Sequence, residues 1–319
     1  MADRPPVASR VAAAGLIAPG KPVTVLLSGG RDSVCLLDVA VLVAGEGMVE
    51  ALHVNYGLRG DESEGDADHC GQLCEQLGVP LTVHRAERPE GAGNLHAWAR
   101  DVRYAIGSGL VERSGGTLAA AHTVDDQVET VLYRLATSPG RRALVGMPHQ
   151  TGRLVRPLLA AEVTRAETTA WCEAGGLAYR DDSSNDDPRF ARARVRSGLA
   201  SSFAEIDDRA VGALLQTIKL LREEGEALDV TVSDLVSGGQ LSHSELQEMP
   251  VGLARLALRA LAESATGRPC PRVGARLDDV LGLTDGSLDL GDEARITVTG
   301  DVVTATRTPP LPALDRDRC

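Results

Sequence analysis

Residues 23–34, V-T-V-L-L-S-G-G-R-D-S-V, constrain this chain more than any other stretch. The apolar run Val23 to Leu27 stops at Ser28-Gly29-Gly30, and apolar Val34, Leu36, Leu37 and Val41 then recur at helical spacing. A strand, a glycine turn and a helix therefore follow one another without a spacer. Two glycines let successive backbone N–H groups converge with no Cβ in the way; Ser28 and Ser33 add hydroxyl donors, and the helix start adds the positive end of its dipole. Such a loop binds a phosphate. It is not the G-x-x-x-x-G-K-[ST] loop, because no lysine follows these glycines. Asp32 beside an anion site is unfavourable unless a cation such as Mg²⁺ compensates it. The competing reading is a plain strand-to-helix turn in which Asp32 and Ser33 serve only the helix dipole.

Downstream, Val49 to Val54 reads as a buried strand running into H-V-N-Y-G-L-R-G-D-E at 53–62, and Asp61 to Leu77 as a helix with an acidic first turn. Leu81 to His84 is a third strand, Asn94 to Val111 a helix carrying A-R-D-V-R-Y at 99–104, and Thr117 to Ala121 a fourth strand. Strands alternating with helices at this spacing predict an α/β fold with a doubly wound, mainly parallel sheet. Ligands of such sheets sit outside the carboxyl ends of the strands. Ser28-Gly29-Gly30, His53, the loop after His84, and His122 all fall there. For His53 and His122, core packing and ligand contact both remain open. In A-H-T-V-D-D-Q-V-E-T, 121–130, a helix starting near Thr123 puts Asp126 and Glu129 at i,i+3 and Asp125 and Glu129 at i,i+4. Three carboxylates on one face could hold Mg²⁺ or an ammonium group; alternatively they only complement the dipole.

R-L-V-R-P-L-L at 153–159 is extended up to Pro157, Glu162 to Ala174 is a helix stopped by Gly175-Gly176, and an arginine run fills 189–196. If that run is helical, Arg189, Arg192 and Arg196 share a stripe and Arg194 points away. A basic stripe suits nucleic-acid phosphates; a solvated linker face and contacts to nucleotide phosphates are the rival readings. The net charge of −12 is unevenly spread: −7 over residues 1–140, +3 over 141–222 and −8 over 223–319. All eight aromatic residues precede residue 204, so the acidic last third offers no base-stacking platform.

The 319 residues predict about two domains, residues 1–203 and 204–307, with 308–319 as a mobile tail. In the second, 205–228 reads as an amphipathic helix, further helices lie near 243–248, 250–264 and 271–282, and Arg295 to Thr299 with Val302 to Thr306 read as a hairpin around Gly300-Asp301. The longest early apolar stretch, Val11 to Ala18, is too short to span a membrane and lacks a secretory pattern, so the expected location is the cytoplasm. The six cysteines show neither C-x-x-C nor zinc spacing.

The loop S-G-G-R-D-S at 28–33 resembles that of the PP-loop ATP pyrophosphatases, which cleave ATP between the α and β phosphates to adenylate a substrate. Further blocks resemble the tRNA(Ile)-lysidine synthetase family: His53, Asn55, Gly57, Leu58 and Arg59; Ala99 to Tyr104; Ala121 to Thr130; Arg156 to Leu159; and Asp182, Ser184, Asn185, Arg192, Arg194 and Arg196. Tyr56, Thr123 and Ala193 depart from the family pattern, and 138–149 matches its glycine-rich loop only loosely. The resemblance, which spans about residues 22–200, implies ATP-dependent joining of L-lysine to the wobble cytidine of the CAU anticodon of tRNA(Ile), with Mg²⁺ as cofactor. It assigns ATP to Ser28, Gly29, Gly30, Arg31, Asp32, Ser33 and His53. Lysine or catalysis goes to Asp125, Asp126, Glu129, His122 and Arg103, metal to Asp32 and Asp126, and tRNA to Arg189, Arg192, Arg194 and Arg196. A short form without the extra C-terminal domain of some members is expected. No protein partner is implied, with a homodimer left open. The alternatives are a tRNA cytidine thiolase, which the absence of paired cysteines opposes, and a small-molecule adenylating synthetase.

Overall fold

The computed structural model describes residues 4–89, 94–138, 140–180 and 191–308. Two compact units divide the chain between Lys219 and Leu220. In order, the first contains α1 (Val7–Ala14), β1 (Val23–Leu26), α2 (Arg31–Ala44), β2 (Val49–Asn55), α3 (Asp61–Leu77), β3 (Leu81–Arg85), α4 (Leu95–Ser114), β4 (Thr117–Ala119) and α5 (Val124–Thr137). There follow α6 (Arg141–Leu144), β5 (Gln150–Thr151), β6 (Leu154–Val155), α7 (Pro157–Ala160), α8 (Arg165–Gly175), α9 (Ala191–Arg194), a π-helical stretch (Val195–Ala200) and α10 (Ser201–Ile206). Helix α11 (Ala210–Val236) runs across the division.

The sheet of the first unit has the order β3-β2-β1-β4-β6-β5, parallel throughout except for the β5/β6 pair. Strand β1 lies between β2 and β4, with Val23 opposite Val49 on one side and Thr117 on the other. Alternate β1 residues face opposite layers: Val25 and Leu27 pack with α1, α2 and α8 residues such as Val11, Leu36 and Trp171, while Leu26 joins Leu52, Leu118 and α4. Both faces are thus covered, as the unbroken apolar β1 sequence requires. The chain runs from β1 outward through β2 to β3, then returns to place β4 on the other side of β1. The carboxyl ends of β1 and β4 therefore flank the point where the winding reverses, the place where such sheets bind ligands.

Local sequence sets the boundaries. Helix α5 starts at Val124 because Thr123 and Asp126 form a reciprocal capping box, and α8 starts at Arg165 rather than at Glu162 because Thr164 and Glu167 form another. The 138–149 loop is anchored by Gln127, whose side chain accepts from Met147 N at 2.7 Å and donates to Met147 O at 3.2 Å. Gly146 adopts φ +63 there, and a Cβ on it would stand 2.5 Å from Gln127 Nε2.

The expected boundary after residue 203 differs from the observed division. Val124, Val128 and Leu132 of α5 pack against Val195, Phe203, Val211 and Leu214, so the start of α11 completes an apolar cluster of the first unit. The second unit contains the rest of α11, then β7 (Gln240–Ser242), α12 (His243–Glu248), α13 (Val251–Thr266), a 3₁₀ turn (Val273–Arg276), α14 (Leu277–Leu281), β8 (Gly286–Gly291), β9 (Ala294–Thr299) and β10 (Val302–Arg307). The hairpin read from the sequence is β9/β10, but β7 and β8 flank it in an antiparallel sheet of order β7-β10-β9-β8. That sheet buries Ile296, Val298 and Val303 with Leu258 and Leu261 of α13. Of the expected tail, residues 309–319 lie outside the described residues. No described helix is long and apolar enough to cross a membrane.

Candidate active site

The glycine turn is held by its own serines. Ser33 Oγ donates to Gly30 O at 2.8 Å, Ser28 N donates to Ser33 Oγ at 3.2 Å, and Gly30 N donates to Ser28 Oγ at 3.3 Å. Gly29 has φ +87, and a Cβ there would stand 3.4 Å from both Cys70 Sγ and the His69 ring. The Gly29 carbonyl accepts the backbone N–H of Arg180 at 3.0 Å. Gly30 is the N-cap of α2 and makes no side-chain cap. The first turn of that helix opens into a cavity of about 1040 Å³.

His53, on β2, is buried beside the loop, with Nδ1 2.9 Å from Leu27 O. That contact makes Nδ1–H the donor, and burial holds the imidazole below its ordinary pKa, so the ring is neutral. It both packs and lines the cavity. His122, from the β4 end, also lines it, as does Arg31. Arg103 stands on the α4 wall, its guanidinium 5.5 Å from the Tyr104 ring centroid.

Asp32 projects from the first turn of α2 toward α8. Thr168 Oγ1 donates to its Oδ1 at 2.5 Å and Arg165 Nε lies 3.8 Å from its Oδ2. Burial pushes its carboxyl up to about 6 against the Thr168 hydrogen bond; the charge of Asp126 adds to the rise, and Arg165 and Arg31 oppose it.

The three α5 carboxylates do not act as one face. Asp126 and Glu129 line the cavity, whereas Asp125 turns away and its Oδ2 accepts the backbone N–H of Arg165 at 2.7 Å. An orphan N–H at the start of α8 captures it. Asp126 spends Oδ2 on the Thr123 cap, accepting from N at 2.9 Å and from Oγ1 at 3.2 Å. Glu129, 1% exposed, accepts from Arg196 Nε at 2.7 Å and Nη2 at 3.2 Å, and from Arg165 Nη1 at 3.2 Å.

Arg196 is therefore not on an outward basic stripe. Its segment turns π-helical at Val195, which breaks the 100° spacing, and its fork grips a carboxylate of the cavity. Arg194 is exposed. Arg189 and the side chain of Arg192 lie outside the described residues, as do Asp182, Ser184 and Asn185.

The residue that ties the site together escaped the sequence reading. Arg165 reaches Asp126 Oδ1 at 3.3 Å, Glu129 and Asp32, while its backbone holds Asp125. Burial opposes its charge, yet Asp126, Glu129, Asp125 and Asp32 together raise its pKa. A signal existed: the T-R-A-E box fixes a helix start at Arg165, where a cation faces the wrong end of the dipole unless carboxylates surround it. Arg59, Asp66 and Arg180 were also missed as a group. Asp66 Oδ2 accepts from Arg59 Nη2 at 2.6 Å and its Oδ1 from Arg180 Nε at 2.8 Å, and all three line the cavity beside the glycine turn.

The cavity thus joins an anion-binding turn to an acidic pole. Among the described residues, no three His, Cys, Asp or Glu side chains converge as a metal cage. Mg²⁺ needs no such cage where phosphates supply the remaining ligands.

Residues 8–202 match the family described as PP-loop domain. The chain is 35% identical over 287 residues to a tRNA(Ile)-lysidine synthase of Pseudomonas aeruginosa, covering 85% of this chain and 63% of that protein. It is 38% identical to one of Leifsonia xyli, covering 77% and 73%, and 37% identical to one of Nocardia farcinica, covering 78% of each. The chain spans 63% and 65% of the Pseudomonas relative and of a Symbiobacterium thermophilum relative of the same name. Among solved structures, a U34-tRNA thiolase of Methanococcus maripaludis superposes with a TM-score of 0.56 over 68% of this chain and 78% of its own, at 17% identity, which shows a shared fold.

Proposed function

Because the chain belongs to the tRNA(Ile)-lysidine synthase family, within the PP-loop proteins, we propose that it joins L-lysine to the wobble cytidine of the CAU anticodon of tRNA(Ile), with ATP yielding AMP and pyrophosphate. The observation that carries this reading is one cavity holding both the Ser28-Gly29-Gly30 turn and the Asp126/Glu129 pole. The chemistry needs both: a place for departing pyrophosphate and a place for a cationic amino acid.

The oxygen on carbon 2 of cytosine is a poor leaving group, and adenylation makes it a good one. The backbone N–H groups of the turn, the Ser33 hydroxyl and the start of α2 hold the pyrophosphate as it leaves. Asp126 orients the lysine through its ammonium groups, Glu129 holds Arg165 and Arg196 in place beside it, and Arg165 keeps the carboxylate charge from repelling the ATP phosphates. No side-chain nucleophile is required, so positioning and charge stabilisation supply the rate. Asp32 and Asp126 are the residues that would hold Mg²⁺, and the mutual repulsion that helps to raise Asp32 fits a cation between them. When bound, the ion neutralises charge on the leaving group.

Thiolation chemistry fits less well. Cys70 and Cys74 are buried, and burial pushes their thiols up to about 12 and about 11, which leaves little thiolate to attack. The test is incubation with ATP, lysine and CAU-anticodon tRNA, followed by nucleoside mass spectrometry. A lysine-substituted cytidine with stoichiometric pyrophosphate is expected; an unmodified wobble cytidine overturns the proposal.

A further inference from the structure

The α4 wall of the cavity carries charge that no carboxylate pairs among the described residues. Arg100 and Arg103 line the cavity and lie over the Tyr104 ring, 5.1 and 5.5 Å from its centroid. Arg156 and Arg134 stand behind them. Each has its pKa lowered, first by burial, and Arg100 contributes to both reductions. Their guanidiniums are fixed by backbone carbonyls, Arg134 Nη1 to Gly146 O at 2.9 Å and Arg156 Nη1 to Pro148 O at 2.7 Å. None of the four makes an ion pair among the described residues, and Asp101 on the same turn of α4 pairs with none of them. Arg156 is only 3% exposed, so water screens its charge poorly.

Elsewhere in the cavity the arginines behave differently. Arg59 and Arg180 share Asp66, and Arg165 and Arg196 share Glu129. Four like charges gathered with no paired carboxylate among the described residues are costly unless an anion completes the group. The aromatic residues cluster here as well: Tyr56 and Trp98 meet edge to face at 5.6 Å, and Tyr133 on α5 is 40% exposed at the cavity lining. Basic side chains beside exposed rings form the pattern that holds single-stranded nucleic acid.

We propose that the Arg100–Arg103 wall, backed by Arg134 and Arg156, is the seat of the RNA backbone: it grips phosphodiesters flanking the target nucleotide while Tyr133 offers a stacking face. This rests on the tRNA reading above, and it moves the RNA footprint from the 189–196 run to the first turns of α4. The nucleotide phosphates belong at the glycine turn, where Ser28, Ser33 and the α2 start already provide donors. The α4 wall is left for the second anionic substrate.

Binding of a fluorescent CAU anticodon stem-loop, followed by anisotropy across a salt series, tests the assignment with the full chain. Arg100 is exposed, so Arg100→Gln leaves the fold intact. It should weaken RNA binding several-fold at low salt and lower the slope of log affinity against log salt by about one unit. Arg100→Lys should restore most of the slope, and ATP binding by calorimetry should be unchanged in both. Tyr133→Ala should weaken binding by about fivefold or more with no change of slope, since one stacked base contributes about 1–3 kcal/mol. Unchanged RNA affinity and slope in Arg100→Gln, with wild-type protein binding normally, overturns the site. Failure of the wild-type protein to bind the stem-loop overturns the tRNA reading itself.

Discussion

Asp32 and Arg165 show how two residues can set a site's chemistry and its instability together. The Asp32 carboxyl is raised from 3.8 to about 6, so between those values the folded protein holds a proton that the unfolded chain has released. Stability from this group is therefore present below pH 3.8 and lost as pH rises through 6. At pH 7 the buried charge costs on the order of 3 kcal/mol. Asp32→Asn should raise the urea midpoint at pH 7, lose that advantage at pH 4, and lower pyrophosphate release by at least about tenfold, or about 1.4 kcal/mol of barrier. Wild-type turnover in the variant would remove Asp32 from the mechanism. Arg165→Gln has the opposite character. It takes from Asp126 and Glu129 the cation they share, leaving Glu129 to Arg196, and should cost about 3 kcal/mol of unfolding free energy at pH 7. Relative to the wild type, the loss should shrink as pH falls from 7 to 5, because protonation relieves a carboxylate that has lost its cation. A pH-independent loss in equilibrium denaturation would show that Arg165 only packs.

Elements place these residues, and their borders explain what the sequence disclosed. The glycine turn was legible because its residues are contiguous, and α3 was legible to both ends because an acidic first turn and Gly78 mark it. The partners of the acidic pole were not. Arg165 is 40 residues from Asp125, and only the tertiary approach of α8 to α5 brings them together. Arg196 misled for another reason, since the π-helical stretch re-aims a side chain that a regular helix would turn outward. In the second unit, β7 is three residues long and β8 carries an irregularity between Asp289 and Gly291, so neither shows clean alternation. Capping provides a test at this scale. Thr123→Ala removes the side-chain half of the α5 box and should destabilise the protein by about 1 kcal/mol, while the backbone N–H of residue 123 still donates to Asp126. It also removes one of the two donors to Asp126 Oδ2, so apparent lysine affinity should change more than in Thr164→Ala, whose box lies over Glu167. Equal lysine affinities in the two variants would disconnect the cap from the site.

For the whole molecule, the useful boundary is the one that packing draws. Ending the chain after residue 203 strips Val211, Leu214 and Leu215 from the apolar surface of α5, the helix that carries Asp126 and Glu129. A truncation after 219 keeps that cluster. The shorter piece should aggregate or melt well below the longer one, and only the longer should bind ATP by calorimetry. Similar melting of both would make the start of α11 dispensable. The uneven charge fits the same division: the second unit, acidic and free of aromatic residues, offers RNA little beyond shape and isolated arginines.

The hydrogen bond between Thr168 and Asp32 spans 136 residues of chain, and it sets a clock for the newborn protein. At about 5–20 residues per second, the ribosome needs about 7–27 s to deliver Thr168 after Asp32 has been made. Arg165, which quiets the carboxylates of α5, arrives in the same late instalment. Once α5 has been made, and until α8 follows it, the nascent chain carries its phosphate loop and the α5 carboxylates without Arg165. Nucleotide capture should therefore wait until α8 has left the exit tunnel, and a polypeptide stalled earlier should leave cellular ATP alone.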